Sequence, residues 1–277
     1  MKAQVRRATW PWLASAGFAL LIVWSYQGTR VDLAALLGRE GRHQIAAYVL
    51  KLFPPDLSAK MLQDAAVGAV ETFAISFVGS LLAVVIALPL SVLTARSLLY
   101  RGILYEGLRL GPVPKGIRIG VYVTAKAVLN VLRTIPEIVW ALVFVFLVGL
   151  GPFPGVLALG FHTGGVLGKL FGEVLEDVNP RPLEVLHSGG AGRLAILFYG
   201  ILPQAAPQCL SYALYRWEVN IRAAAVMGFV AAGGLGQRVY IAISLFLENQ
   251  LLTLILAVYF MVTLVDVLSA YLRRRLL

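Results

Sequence analysis

The chain has 277 residues, of which 59% are hydrophobic and only 14% are charged. Soluble globular domains contain about half apolar and about a quarter charged residues, so this composition excludes an ordinary soluble fold. The formal net charge of +10 would suit a nucleic-acid partner in a soluble protein, but here Lys and Arg cluster at the ends of apolar segments, where they set membrane orientation. The composition therefore predicts one polytopic membrane domain and no nucleic-acid partner.

The first apolar run, residues 12–26, follows three basic residues, as the apolar part of a secretory signal does. No small-residue cleavage site follows the run, so we predict a retained membrane anchor. Residues 27–65 are polar and amphipathic, and the sequence Phe-Pro-Pro-Asp at 53–56 interrupts any helix there. We therefore predict that residues 1–65 form an anchor followed by an extracytoplasmic amphipathic segment.

Five further apolar segments lie in residues 66–277, and we expect each to cross the bilayer as a helix. The predicted fold is an all-α polytopic membrane protein with about six transmembrane helices. The loops at 96–118 and 174–207 and the C-terminal tail carry more Lys and Arg than the opposite loops, so the positive-inside rule places both termini in the cytoplasm. The five segments are residues 66–95, 136–150, 155–171, 211–232 and 251–271.

Glycine recurs every four residues in the fourth predicted span, so the glycines share one helix face. In lipid, such a ridge of small residues lets helix backbones approach closely. We interpret the ridge as a packing surface rather than as a lining of the solute path. It consists of Gly160, Gly164, Gly168 and Gly172.

Charged residues within apolar segments are costly, and they indicate pairing or function. Glu218 and Arg222 are four residues apart, and so are Lys169 and Glu173. This spacing predicts two helical ion pairs, each between residues on the same face. Each pair either neutralises itself within one helix or takes part in a gate or a contact between spans.

Two further polar residues, His162 and Glu137, have no obvious local partner. For His162 we predict a hydrogen bond within the helix packing. Glu137 follows Pro136, which predicts a position at a helix start, where the helix dipole favours a carboxylate.

Catalytic and nucleotide-binding motifs are absent from the sequence. Residues 164–170, Gly-Gly-Val-Leu-Gly-Lys-Leu, lack the first Gly and the final Ser or Thr of a phosphate-binding loop. The single cysteine, Cys209, excludes an internal disulfide, and no cluster of Cys and His suits a metal. We therefore predict no metal site, no bound ATP and no catalysis by this chain alone, so uphill transport needs ion coupling or a partner.

The stretch EVLHSGGAGRLAILFYGILPQAAP, residues 184–207, interrupts the apolar pattern between two spans. Residues 181–187 predict a short helix, three glycines at 189–192 permit a sharp turn, and two prolines restart the chain toward the next span. A small helix of this kind on the cytoplasmic face is a docking surface, and a flexible loop is the alternative interpretation.

Within this stretch Glu184, Gly190 and the Leu202-Pro203 pair resemble the EAA-loop signature of bacterial ABC importer permeases, which frames their coupling helix. Val185 and Leu186 stand where the family usually has alanines. Longer stretches resemble the phosphonate permeases, a branch of the type I, methionine-permease-like importers. They include LNVLRTIPEIVWALVF from Leu129, GLGPFPGVLAL from Gly149, LGKLFGEVLE from Leu167 and YRWEVNIRAAAVMGFVAAGGLG from Tyr215, within a resemblance that covers about residues 50–272.

The resemblance implies a permease subunit in the bacterial cytoplasmic membrane that forms a homodimer. It further implies two cytoplasmic ATPase subunits, which bind ATP and Mg, and an extracytoplasmic binding protein that delivers phosphonate or a related phosphorus oxyanion such as phosphite or phosphate. The permease would work by alternating access. The implied ATPase-coupling residues are Glu184, Val185, Leu186, His187, Gly190, Arg193, Leu202 and Pro203, and the expected path or gate residues are His162, Thr163, Asn220 and Arg222.

Other functions make different predictions. The same architecture could import another small solute, such as methionine or a quaternary amine. An ion-coupled secondary carrier predicts inverted repeats and broken helices with unpaired acids, and the two halves of this sequence show no convincing repeat. A membrane enzyme would need a catalytic cluster, and a structural scaffold would not explain the pattern from Glu184 to Pro203.

Overall fold

Helices account for all the regular secondary structure in residues 2–29, 32, 35, 37–100 and 111–276, which are the residues that the computed structural model describes. The predicted all-α class is therefore confirmed. The chain divides into two compact units, Met1–Phe53 and Pro54–Leu277.

The first unit contains helix α1, Lys2–Thr29, and helix α2, Arg39–Lys51. After α2 the chain is irregular up to Ser58, as the two prolines predict. Helix α3 then starts at Ala59, within the region that the sequence assigns to the N-terminal segment. Ser58 caps α3, because its hydroxyl oxygen accepts a hydrogen bond from the Met61 amide at 3.3 Å.

The second unit holds the remaining long helices. Single helical turns, Arg96–Leu99 and Arg193–Ala195, and a π-helical turn, Ile196–Ile201, connect some of them. The helices are α3 (Ala59–Thr94), α4 (Pro112–Thr134), α5 (Glu137–Val148), α6 (Pro152–Glu176), α7 (Pro180–Ser188), α8 (Leu202–Met227), α9 (Gly234–Ser244) and α10 (Glu248–Leu276).

Length and apolar composition identify fewer spans than the six predicted. Among the described residues, Ala59–Thr94, Arg193–Val230 and Glu248–Arg275 are long and apolar enough to cross a membrane. The pair α4 and α5, bent by 92° at residues 135–136, counts as a fourth if it forms one span. Helix α6 is long enough, but its glycines and its charged second half lower its apolarity.

The prediction that residues 136–150 cross the membrane as a separate span is wrong. Its helix α5 has 12 residues, about 18 Å, whereas the hydrocarbon core is about 30 Å thick. Helix α4 precedes it and begins at Pro112, inside the predicted loop 96–118. Helix α4 carries basic residues along its length, so it forms no continuous apolar run and is not predicted as a span.

Helix α6 lies at the centre of the second unit, between α3 and α4, and its glycines make the close approach possible. A Cβ atom at Gly160 or Gly164 would press on side chains of α3, and one at Gly168 would collide with Leu129 of α4. Without these glycines the helices would be forced apart. The interpretation of the glycine ridge as a packing surface is therefore confirmed.

Candidate functional site

Both ends of helix α7 are fixed by capping interactions. At its start the Arg181 amide donates a hydrogen bond to the Asn179 side-chain oxygen at 3.1 Å, and Pro180 occupies the first turn. At its end Gly190 has a φ of +80°, a left-handed conformation that favours glycine. The Ala191 amide donates to the Leu186 carbonyl oxygen at 3.0 Å, which closes the turn. The sequence therefore specifies a short, defined helix rather than a flexible loop.

One face of α7 packs on neighbouring helices of the second unit, and the other face is exposed. Leu183 is buried in an apolar cluster with residues of α6, of the π-helical turn and of α8. Gly200 lies directly against Leu183 and Leu186, so that a Cβ atom at Gly200 would collide with Leu183. Glu184, Val185 and His187 are exposed. The exposed face is thus available to a partner, while the buried face fixes α7 to the start of α8.

The remaining residues predicted for coupling lie between the end of α7 and the first turn of α8. Gly190 forms the turn, Arg193 is exposed in the helical turn that follows, and Leu202 packs at the edge of the apolar cluster. Pro203 lies in the first turn of α8. Although the apolar pattern predicts a loop at 174–207, most of this segment is helical.

Thr163 and Asn220 belong to a buried hydrogen-bond network. The Thr163 hydroxyl donates to the Asn220 side-chain oxygen at 2.8 Å, and the Asn220 amide nitrogen donates to the Ser80 hydroxyl at 2.9 Å. Ser80 in turn donates to the carbonyl oxygen of Ser76. These bonds join α3, α6 and α8, and Thr163 and Asn220 are 0% and 2% exposed. They hold the helices together, and their assignment to a solute path stays a prediction.

Glu218 joins α8 to α10 through two arginines. Its carboxylate lies 3.0 Å from Arg222 of its own helix and 2.9 Å from Arg273 of α10. Arg222 also lies 3.5 Å from Asp266 of α10. The spacing in the sequence predicts the local pair with Arg222 but neither contact with α10. The second local pair, Lys169 and Glu173, lies at 3.5 Å on an exposed face of α6.

We expect Glu218→Gln to destabilise the protein more than Arg222→Gln. The Glu218 side chain is 15% exposed and has two partners, so its loss leaves arginine charge uncompensated, at a cost of about 3 kcal/mol. The Arg222 side chain is 44% exposed, and breaking such a pair costs about 1 kcal/mol or less. Thermal unfolding midpoints in detergent measure the difference, and equal shifts for the two variants would contradict the bridging role of Glu218.

His162 and Glu137 are brought together by the break between α4 and α5. His162 Nδ1 donates to the Ile135 carbonyl oxygen at 2.8 Å, since a carbonyl can only accept. His162 Nε2 lies 3.5 Å from a Glu137 carboxylate oxygen. Glu137 is the first residue of α5, where the predicted helix start is found. The predicted packing hydrogen bond of His162 is therefore confirmed, and both contacts of His162 are made to residues outside its own helix.

Arg216 is a further cation within α8, outside the predicted ion pairs. Its Nε atom is buried and has no hydrogen-bond partner among the described residues. The Glu137 carboxylate interacts electrostatically with the Arg216 guanidinium. Among the same residues, no group of three or more His, Cys, Asp or Glu side chains could hold a metal ion.

The long apolar helices, the tightly packed central helix and the docked short helix define a multi-pass membrane protein. Residues 120–277 match the family described as "Binding-protein-dependent transport system inner membrane component". The chain belongs to this family.

Relatives and a solved structure agree with this family. The phosphite transport system permease protein PtxC of Stutzerimonas stutzeri is 36% identical over 258 residues, which cover 93% of this chain and 86% of that protein. The putative phosphite permease HtxC of the same organism is 36% identical over 84% of this chain and 76% of its own. The putative cryptic phosphonate permease PhnE2 of Escherichia coli K12 is 44% identical over 43% of this chain and 98% of its own.

The solved structures share the fold. A chain of the MetNI methionine ABC transporter in an inward-facing conformation superposes with a TM-score of 0.65 at 23% identity, covering 80% of this chain and all of that chain. The architecture is thus that of the type I ABC importer permeases.

Proposed function

We propose that this chain is the permease subunit of an ATP-driven importer that moves a phosphorus oxyanion into the cytoplasm. Phosphite, phosphonate and phosphate are the candidate solutes, and the phosphite and phosphonate systems named for its relatives support this class. The observation that carries the proposal is helix α7, whose buried face is fixed to the start of α8 while Glu184, Val185 and His187 remain exposed.

The exposed face of α7 would bind the ATPase. A cytoplasmic ATPase subunit would hold ATP and Mg, and its closure on nucleotide would move α7 and bias the permease between inward-facing and outward-facing states. The coupling residues proposed are the eight that the sequence indicates, from Glu184 to Pro203. In this assignment the permease itself carries no cofactor and catalyses no reaction.

The proposed assembly contains two copies of this chain, two ATPase subunits and an extracytoplasmic binding protein, in the bacterial inner membrane. The description of the family as a binding-protein-dependent inner membrane component supports the location and the binding protein. Two copies that carry different affinity tags should purify together; separation of the tags in a transport-competent complex would contradict the homodimer.

We further propose that both termini are cytoplasmic. The basic residues Arg273, Arg274 and Arg275 end α10 and support this orientation. A reporter enzyme that is active only outside the cytoplasmic membrane, fused after Arg275, should be inactive, and the same reporter should be active when inserted before α2. The opposite pattern would overturn the orientation.

The decisive experiment for the cargo is uptake into proteoliposomes that contain this chain with its ATPase and binding protein. We expect ATP-dependent uptake of labelled phosphite, methylphosphonate or phosphate, and none of methionine. Uptake of methionine alone would favour another solute for the same architecture. Uptake driven by an ion gradient without ATP would favour a secondary carrier.

A further inference from the structure

Two grooves of opposite character border α8. The first, of about 670 Å³, has an almost wholly apolar lining from α3, α6, the π-helical turn and α8, including Leu81, Val84 and Leu210. The second, the polar groove, has about 510 Å³ and lies between the end of α6 and the start of α8. Its polar side chains are Glu173, Asp177, Asn179, Gln204, Gln208 and Tyr212. An oxyanion must exchange its hydration for polar partners, so only the second groove suits it.

Polar side chains continue from this groove along α8. Gln204, Gln208, Tyr212 and Arg216 follow one another at intervals of four residues, and they lie within a helix sector of about 120°. Gln204 and Gln208 are exposed, whereas Tyr212 and Arg216 are half-buried. This polar stripe therefore leads from the exposed start of α8 towards the interior of the second unit.

Arg216 lies at the inner end of the polar stripe with unused hydrogen-bonding capacity. A guanidinium has five N–H donors, and the buried Nε of Arg216 has no partner in the described part of the chain. Glu137 provides an opposite charge, but its carboxylate already lies 3.5 Å from His162. A charged side chain within a membrane span is costly unless it is paired or functional.

We propose that Arg216 is the anion-binding residue of the solute path and that the polar stripe conducts a tetrahedral phosphorus oxyanion from it to the polar groove beside α7. This inference rests on the proposed function. Arginine suits the task because its planar fork can bind two oxygens of one phosphorus centre.

The charges at the two ends of the stripe differ in sign. Glu173 and Asp177 line the polar groove, and Lys169 neutralises only part of this charge through its contact with Glu173 at 3.5 Å. Carboxylates at the outlet lower the affinity of the polar groove for an anion, while Arg216 raises the affinity inside. A transport path needs binding that is weak enough to permit release.

The first test compares Arg216→Gln with Arg274→Gln, a substitution of an exposed arginine in the last turn of α10, outside the polar stripe. In proteoliposomes we expect Arg216→Gln to lower oxyanion uptake at least tenfold while the loaded binding protein still stimulates ATP hydrolysis. Arg216→Lys should retain part of the uptake, and Arg274→Gln should retain most of it. Wild-type uptake from Arg216→Gln, or an equal loss from Arg274→Gln, would overturn the inference.

The second test does not depend on the folding of an Arg216 variant. Gln208 lines the polar groove and its neighbour Cys209 lines the apolar one. In a Cys209→Ser background, Gln208→Cys should react with a negatively charged thiol reagent, the reaction should block uptake, and excess phosphite should slow it. Cys209 in the otherwise native chain should give no block.

Uptake that is unaffected after labelling of Gln208→Cys would exclude this path. A wild-type complex that takes up no phosphorus oxyanion would instead contradict the proposed function. The two failures are therefore distinguishable.

Discussion

Glu184→Arg should abolish most ATP-dependent uptake while the protein still inserts into the membrane and folds. The Glu184 side chain is exposed on α7, about 100° around the helix from the buried Leu183. The Glu184 backbone carbonyl accepts a hydrogen bond from the Ser188 hydroxyl at 2.8 Å. A reversed charge would therefore disturb a partner and leave the packing intact. Coupling free energies between sites correspond to about 5- to 150-fold in an equilibrium constant, and we expect a loss of uptake in this range.

Uptake in proteoliposomes and co-purification of the ATPase measure the effect. Glu40→Arg is a suitable control, because Glu40 is exposed on α2 and distant in sequence from the coupling residues. We expect the control to behave as wild type. Unchanged uptake and ATPase association for Glu184→Arg would remove α7 from the coupling mechanism.

Gly236→Ala should destabilise the second unit strongly. A Cβ atom at Gly236 would collide with the carbonyl of Ala225, and one at Gly228 would collide with the backbone of Gly236 and Gln237. Here the end of α8 and the start of α9 meet backbone against backbone, so no side chain can turn away to make room. We expect a cost of about 3 kcal/mol, at the upper end of overpacking effects.

The matched control for this substitution is Gly120→Ala in α4. A Cβ atom at Gly120 would meet open space in the described fold, and alanine favours a helix over glycine by about 1 kcal/mol. Thermal unfolding in detergent should thus show a lower midpoint for Gly236→Ala and an equal or higher one for Gly120→Ala. Equal midpoints for both variants would show that the contact at Gly236 is not close.

Local patterns in the sequence predict local structure well. The start and end of α7 follow from Pro180, Gly189 and Gly190, and the pair of Glu218 with Arg222 follows from their spacing. The glycine ridge predicts close packing, although the sequence does not indicate which helices meet it. In each of these cases the determining residues are neighbours along the chain.

Contacts between helices cannot be predicted from local patterns in the sequence. The partners of Asn220 on α3 and of Glu218 on α10 lie far away in sequence, and only the packed fold brings them together. Helix α4 is missed because it is amphipathic rather than continuously apolar. Arg216 could have been found, since the repeat of polar residues from Gln204 at intervals of four is visible in the sequence.

The close packing of α7 on Gly200 couples the movement of α7 to that of α8. Because Gly200 has no side chain, Leu183 and Leu186 lie directly on the turn that continues into α8. Separating α7 from the π-helical turn would expose the buried Leu183, at a free-energy cost of about 1.5 to 3 kcal/mol. Helix α7 and the π-helical turn therefore move together as one rigid body. A displacement of α7 then also moves Gln204 and Gln208 relative to α6. The width of the polar groove would then change in step with the partner that pushes on α7.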